Sequence, residues 1–275
     1  MMKVNKRVPT AIVFAVVFLG LLFLSRDFFS ILLSVFTAIG IIEYYRLISF
    51  PLGKYQRILG VVAGIAVNQI FYAFKTGYID QTITSNVLSF FLMAAFFFAG
   101  LGGTGSGKLK QSIAIMSGVF YVAFPFGLTH FITFYPFGAE EDYSPQLLLG
   151  LVSLIWANDI FAYYAGSMWG KRKIMPKVSP KKTWEGFAGG LIASILTGLL
   201  LSGIIGILSP VQWLVSAGIA SVFGTTGDFM ESYLKRRAGV KDSGTVLPGH
   251  GGILDRFDAY LLAIPVMVFY LYGSA

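Results

Sequence analysis

Five acidic residues in the C-terminal half of the chain sit where carboxylates are either costly or crowded: Asp159, Asp228, Glu231, Asp255 and Asp258. Asp228 and Glu231 are three residues apart, as are Asp255 and Asp258, so on helices each pair would share a face. Like charges that close destabilise a helix unless a cation offsets them. Lys235, Arg236, Lys241 and Arg256 stand beside the two pairs. Paired carboxylates next to clustered Lys and Arg are what an oxygen-ligated Mg²⁺ with bound phosphates requires. Between them, Pro248-Gly249-His250-Gly251-Gly252 can bring backbone N–H groups up to an anion, because glycine reaches conformations other residues avoid. The competing reading of Glu231 and Lys235 is an ordinary i,i+4 pair on a helix surface.

A second polar region lies upstream. Asn158 and Asp159 fall inside an apolar run, roughly two to three turns from its end at about 1.5 Å per residue. A carboxylate at that depth is expensive unless it is paired or faces water. A basic run from Lys171 to Lys182 follows, ending in Ser179-Pro180-Lys181-Lys182-Thr183-Trp184-Glu185-Gly186. Lys181 and Lys182 suit a phosphate, although such a run also orients a membrane protein. Thr183 is placed to cap the next helix, with Glu185 in its first turn.

Three other signals are set aside. Gly102 to Lys108 fits the first part of a phosphate-binding loop, but Leu109 stands where a Ser or Thr would hold Mg²⁺, and the preceding run reads as a membrane helix. His130 is isolated in an apolar span and reads as a packed residue. Glu43 has Arg46 three residues on and is expected to pair with it.

The elements that position these residues follow from composition. Of 275 residues, 56% are hydrophobic and only 12% charged, against about 25% charged in soluble domains. With a mean hydropathy of +0.73 and apolar runs of roughly 20 residues recurring throughout, the chain reads as an all-α polytopic membrane protein. The absence of Cys excludes disulfides and thiolate chemistry. Nine spans are expected, near residues 9–25, 28–48, 55–74, 85–102, 110–135, 146–169, 186–208, 210–233 and 257–273. The first is read as retained, since no small-x-small cleavage site precedes Arg26. They form one membrane domain over 1–275, with N-terminal helices in 1–145 and catalytic helices and loops in 146–275.

With the N-terminus inside, every one of the 21 Lys and Arg residues except Arg26 and Lys75 falls on the cytoplasmic side. The other side carries Asp27, Asp80, Glu140, Glu141 and Asp142. The formal net charge of +8 is then a cytoplasmic excess that obeys the positive-inside rule. Nucleic acid loses its support as a partner. Anionic lipid headgroups and phosphorylated substrates gain it.

The stretch Ser232-x-Leu234-Lys235-Arg236-x4-Lys241-Asp242-x-Gly244-x2-Leu247-Pro248-x-His250-Gly251-Gly252-Ile253-x-Asp255-Arg256-Phe257-Asp258 resembles the signature of the phosphatidate cytidylyltransferase, or CDP-diacylglycerol synthase, family. The upstream Asn158-Asp159 and Ser179 to Gly186 segments are similar to that family too, while Ala259 departs from the Ser often found there. The resemblance implies transfer of CMP from CTP to phosphatidic acid with release of pyrophosphate, dependent on Mg²⁺. It implies metal ligation by Asp228, Asp255 and Asp258, with Asp159 a further candidate, and catalytic roles for Asp228, Lys241, Asp255 and Arg256. Substrate would be held by Asn158, Asp159, Lys181, Lys182, Lys235, Arg236, Asp242, His250, Gly251 and Gly252. The expected setting is the cytoplasmic membrane with the active site facing the cytoplasm and membrane lipid as a partner; a homo-oligomer is left open. Two alternatives stand beside this reading: a CTP-dependent polyprenol or phytol kinase, and an ion-coupled transporter.

Overall fold

The computed structural model describes residues 7–48, 50, 52–80, 82–83, 107–135, 143–249 and 251–274. They group into two compact units, Met1–Phe131 with Arg237–Arg256, and Ile132–Arg236 with Phe257–Ala275. The expected span at 85–102, residues 102–106 of the glycine-rich loop, the acidic residues 140–142 and His250 lie outside the described residues.

In the first unit, α1 (Arg7–Leu24), α2 (Arg26–Leu47) and α3 (Lys54–Lys75) are followed by α4 (Gly107–Gly118) and α5 (Phe124–Thr133). The Ser25 side chain caps α2 by accepting from the Asp27 N–H at 3.2 Å. Between α4 and α5, residues Val119–Ala123 form a π-helical turn in which the Phe124 N–H reaches back to the Val119 carbonyl. Pro125 follows immediately. Its missing N–H and bulky ring favour such a widened turn, so the expected span at 110–135 is a helix with a built-in irregularity.

Side-chain hydrogen bonds tie the helices of this unit where apolar packing has little to gain from water exclusion. The Gln69 amide donates to Ser34 Oγ at 2.7 Å, Ser34 Oγ donates to Asn68 Oδ1 at 3.2 Å, and the Tyr45 hydroxyl donates to the Ile115 carbonyl at 2.8 Å. His130 is buried with its Nε2 3.5 Å from Asn68 Oδ1. It is an interior packing residue, as its isolation suggested.

The second unit is built on α6 (Pro145–Trp169) and α7 (Trp184–Ile204), with α8 (Pro210–Arg237) and all but the first turn of α9 (Leu254–Gly273). Small residues let α6 and α7 approach closely. A Cβ at Gly189 would come within 2.4 Å of the Ala165 Cβ, and one at Gly190 within 2.6 Å of the Asn158 carbonyl. The basic loop between these helices is a two-stranded antiparallel ribbon, β1 (Lys173–Met175) and β2 (Ser179–Thr183), a local addition to an otherwise helical fold.

Among the described residues, five stretches are long and apolar enough to cross a membrane: α2, α3, Leu109–Thr133, α6 and α7. The chain is a helical membrane protein. Residues such as Ile31, Ile192, Leu196 and Leu200 are exposed on these helices, as lipid-facing side chains are. The count of nine spans is not reached among the described residues: Pro9–Leu24 of α1 is apolar but shorter than the other five, and the last two expected spans carry charge. Helix α8 carries Asp228, Glu231, Lys235, Arg236 and Arg237, while α9 opens with Asp255, Arg256 and Asp258.

Candidate active site

Three features lock the basic ribbon in place. The Thr183 hydroxyl accepts from the Gly186 N–H at 3.1 Å and so caps α7 as expected. Glu185 accepts from the Lys171 N–H at 3.0 Å and from the Arg172 N–H at 3.1 Å. The Trp184 N–H donates to the Arg172 carbonyl at 2.9 Å. Because successive strand side chains point to opposite faces, adjacent lysines of β2 have different surroundings. Lys181 is exposed, whereas Lys182 pairs with Asp228 and sits 5.0 Å from the centroid of the Phe229 ring.

Asp228 is further held by Ser232, whose hydroxyl donates to its Oδ1 at 3.1 Å from one helical turn on. Asp258 is within electrostatic reach of Asp228, Glu231 and Asp159. Asp159 also feels Lys182, and accepts from the Asn158 amide at 3.3 Å. The second unit therefore brings Asp258 within reach of three other carboxylates, two of which, Asp228 and Asp159, are near the half-buried Lys182. Gly227 permits the approach of α8 to α9 here, since a Cβ on it would lie 2.4 Å from the Asp258 carbonyl oxygen. Lys235 donates to Glu231 at 2.6 Å, and both are buried. The i,i+4 spacing was legible, but the surface location is corrected: the pair is interior, because this face of α8 packs inward. Arg236 on the same helix is exposed.

The first unit holds the other cluster. Asp255, in the first turn of α9, accepts at Oδ2 from the Ser243 N–H at 2.8 Å, the Ser243 hydroxyl at 2.9 Å and the Gly252 N–H at 2.8 Å. Gly251 has φ +85°, and a Cβ there would come within 2.5 Å of that same oxygen. The glycines of this loop thus bring backbone donors to a carboxylate of the protein itself. Lys241, Asp242 and Arg256 are exposed.

Glu43 requires a correction. It does not pair with Arg46. Its carboxylate is buried and accepts from Ser243 Oγ at 3.2 Å and from the N–H groups of Ile253 at 3.2 Å and Leu254 at 2.9 Å. Backbone donors at a helix start satisfy a buried carboxylate without the cost of desolvating an arginine. The signal in the sequence is the charge itself, in a stretch of α2 that is otherwise free of Asp, Glu, Lys and Arg from Phe28 to Tyr45. Ser232 and Ser243 also donate their hydroxyls to carboxylates, roles that their place in the sequence does not mark. Among the described residues, no three His, Asp or Glu side chains converge as a ready-made metal cage.

A membrane-embedded helical protein with carboxylates, a half-buried lysine and clustered basic residues defines a class that handles phosphorylated substrates at a bilayer. Comparison with known proteins makes this specific. The chain matches the model of the cytidylyltransferase family over residues 5–273 and belongs to that family. It is 32% identical over 263 residues to proteins named phosphatidate cytidylyltransferase from Staphylococcus epidermidis and Staphylococcus aureus, covering 95% of this chain and 96% of each of those. It is also 42% identical over 132 residues to the Bacillus subtilis protein of that name, 48% of this chain and 49% of that one.

Proposed function

We infer that the protein is a CTP:phosphatidate cytidylyltransferase, which transfers CMP from CTP to phosphatidic acid and gives CDP-diacylglycerol and pyrophosphate. The carrying observation is the family match along almost the whole chain. An oxygen of the lipid phosphate attacks the α-phosphorus of CTP, and the bond from that phosphorus to the bridging oxygen of pyrophosphate breaks. The lipid phosphate is already substantially ionised near neutral pH, given a second phosphate pKa of about 6. Base catalysis therefore has little to add, and the barrier is the meeting of two polyanions. Positioning and fixed positive charge lower it.

Lys182 is the residue best prepared to supply that charge. It is only partly covered, and its partner Asp228 can be satisfied by another cation while the ammonium turns to a phosphate. Lys181, Arg236, Lys241 and Arg256 are exposed cations suited to holding triphosphate or lipid phosphate. Asn158 and Asp159, Asp242, His250 and the backbone at Gly251 are further substrate contacts in this proposal; Gly252, whose N–H is held by Asp255, acts by shaping the loop.

Mg²⁺ is proposed as the cofactor. The donors suit it by type: Asp228 and Asp258 in the second unit and Asp255 in the first each offer hard carboxylate oxygens, and Mg²⁺ characteristically takes one or two such ligands together with waters and substrate phosphates, needing no complete protein cage. When bound it would neutralise charge on the phosphates. We place the enzyme in the cytoplasmic membrane with its basic loops facing the cytosol, where CTP is found. The charge asymmetry supports that orientation, and labelling of a cysteine introduced at Lys177 from the outer face of oriented vesicles would overturn it.

The test is pyrophosphate release by the purified protein with CTP and Mg²⁺. Release should require phosphatidic acid. Release of CDP on addition of a lipid alcohol, with no response to phosphatidic acid, would favour the kinase alternative.

A further inference from the structure

Glu43 stands on α2, two hundred residues before the segment it holds, and its carboxylate is almost wholly buried at 1% exposure. Its Oε1 accepts from the Ile253 N–H, and its Oε2 accepts from the Leu254 N–H and from Ser243 Oγ. Ile253 and Leu254 are where α9 begins, so these N–H groups are among those a helix start leaves without an internal partner, and a negative charge there is favoured by the helix dipole. The Ser243 hydroxyl lies between two carboxylates, 3.2 Å from Glu43 and 2.9 Å from Asp255. The next residue on each side of the contact is shaped to the same group. A Cβ at Gly244 would come within 2.2 Å of Glu43 Oε1, and one at Gly252 within 2.3 Å of it.

This is more provision than a buried charge needs if its role is stability alone. Apolar replacement of buried ionic groups is often neutral or stabilising, and the best use of such groups is to fix one arrangement among several. Here the arrangement fixed is local and definite. Ser243, Gly252 and Leu254 are all held against Glu43 or Asp255, and Asp255 is the next residue after Leu254. A carboxylate in the first turn of a helix points where that turn points.

We propose that Glu43 is a positioning residue of the active site: by gripping Ser243, Ile253 and Leu254 it sets the start of α9 and hence the direction in which Asp255 presents its carboxylate. The inference rests on the reading of the protein as a cytidylyltransferase that uses Asp255. It assigns a role in the reaction to a residue of the N-terminal half, outside the signature stretch from Ser232 to Asp258.

The full-length protein is purified in lipid nanodiscs as wild type, Glu43→Gln and Glu43→Asp. Glutamine keeps the size but turns an NH₂ group toward donors that need an acceptor; aspartate keeps the charge but withdraws it by one methylene. Two readouts are taken on the folded fraction: amide hydrogen exchange across residues 243–255, and steady-state kinetics with CTP and phosphatidic acid varied separately. Exchange in that segment should rise by roughly tenfold or more in Glu43→Gln while α3 stays protected. Turnover should fall by roughly tenfold or more with both KM values within about threefold, because a misaimed carboxylate weakens the transition state rather than substrate binding. Glu43→Asp should lie between the two, and carries both readouts alone if the glutamine variant does not fold. Unchanged exchange at 243–255, or unchanged turnover per folded molecule, overturns the proposal. Wild-type protein that transfers no CMP would sink the cytidylyltransferase reading instead, while the exchange measurement still decides whether Glu43 holds the segment.

Discussion

The Lys182 ammonium pairs with the Asp228 carboxylate and lies against the ring of Phe229, so two adjacent residues of α8 hold a lysine delivered by the β-ribbon. Each partner of the pair is about a quarter exposed, a setting in which an ion pair contributes little to stability and can open at small cost. Such a lysine is better explained by what it can be handed to than by what it stabilises.

Lys182→Gln should therefore lower kcat/KM by roughly a hundredfold or more while leaving the melting temperature close to wild type. Lys181→Gln should have a clearly smaller effect, because Lys181 is exposed whereas Lys182 is the lysine paired with Asp228. Equal losses for the two variants would mean that the basic run acts only as bulk positive charge.

Asp255→Asn preserves shape but replaces one oxygen of a carboxylate that collects three hydrogen bonds at Oδ2. Turnover should drop by about two orders of magnitude or more, and the Mg²⁺ concentration for half-maximal rate should rise, since an amide is a poorer ligand for a hard cation. A magnesium titration of wild type and variant measures both. A folded variant with a wild-type magnesium response would remove Asp255 from the proposed ligand set.

The buried pair of Lys235 and Glu231 makes a separate prediction about stability. Lys235→Met strips a cation from a carboxylate with no measurable exposure, which costs about 3–5 kcal/mol when a buried pair is broken from one side. Adding Glu231→Gln should recover a substantial part of that loss. Thermal unfolding of the two single variants and the double variant closes the cycle; a double variant less stable than Lys235→Met alone would contradict it.

How much of this was readable beforehand depended on the range over which each residue's partners lie. Thr183 as a cap and Glu231 with Lys235 as a pair were legible because their partners are three and four residues away. The apolar runs gave the helices for the same reason, through composition within one element. The ribbon escaped notice because Lys173 to Thr183 lacks the alternation of a half-buried strand; it is held by Glu185 and by the backbone of Arg172. Glu43 was assigned to Arg46 because a helix offers an i,i+3 partner by default. Its actual partners are backbone groups that become a binding site only once the segment from Ser243 to Leu254 has folded around it. Signature residues such as Asp255 could be picked out by type and spacing, whereas the residue that holds Asp255's segment in place could not.

In a cytidylyltransferase reaction the α-phosphoryl group of CTP, with its nucleoside, ends on the lipid. The most direct measurement places a radiolabel on the α-phosphate in one reaction and on the γ-phosphate in another, each with purified protein, Mg²⁺ and phosphatidic acid, followed by extraction into organic solvent. The α-label should pass to the organic phase while the γ-label stays in water as pyrophosphate. Passage of the γ-label into the lipid, with the α-label left in water, would contradict the cytidylyltransferase reading.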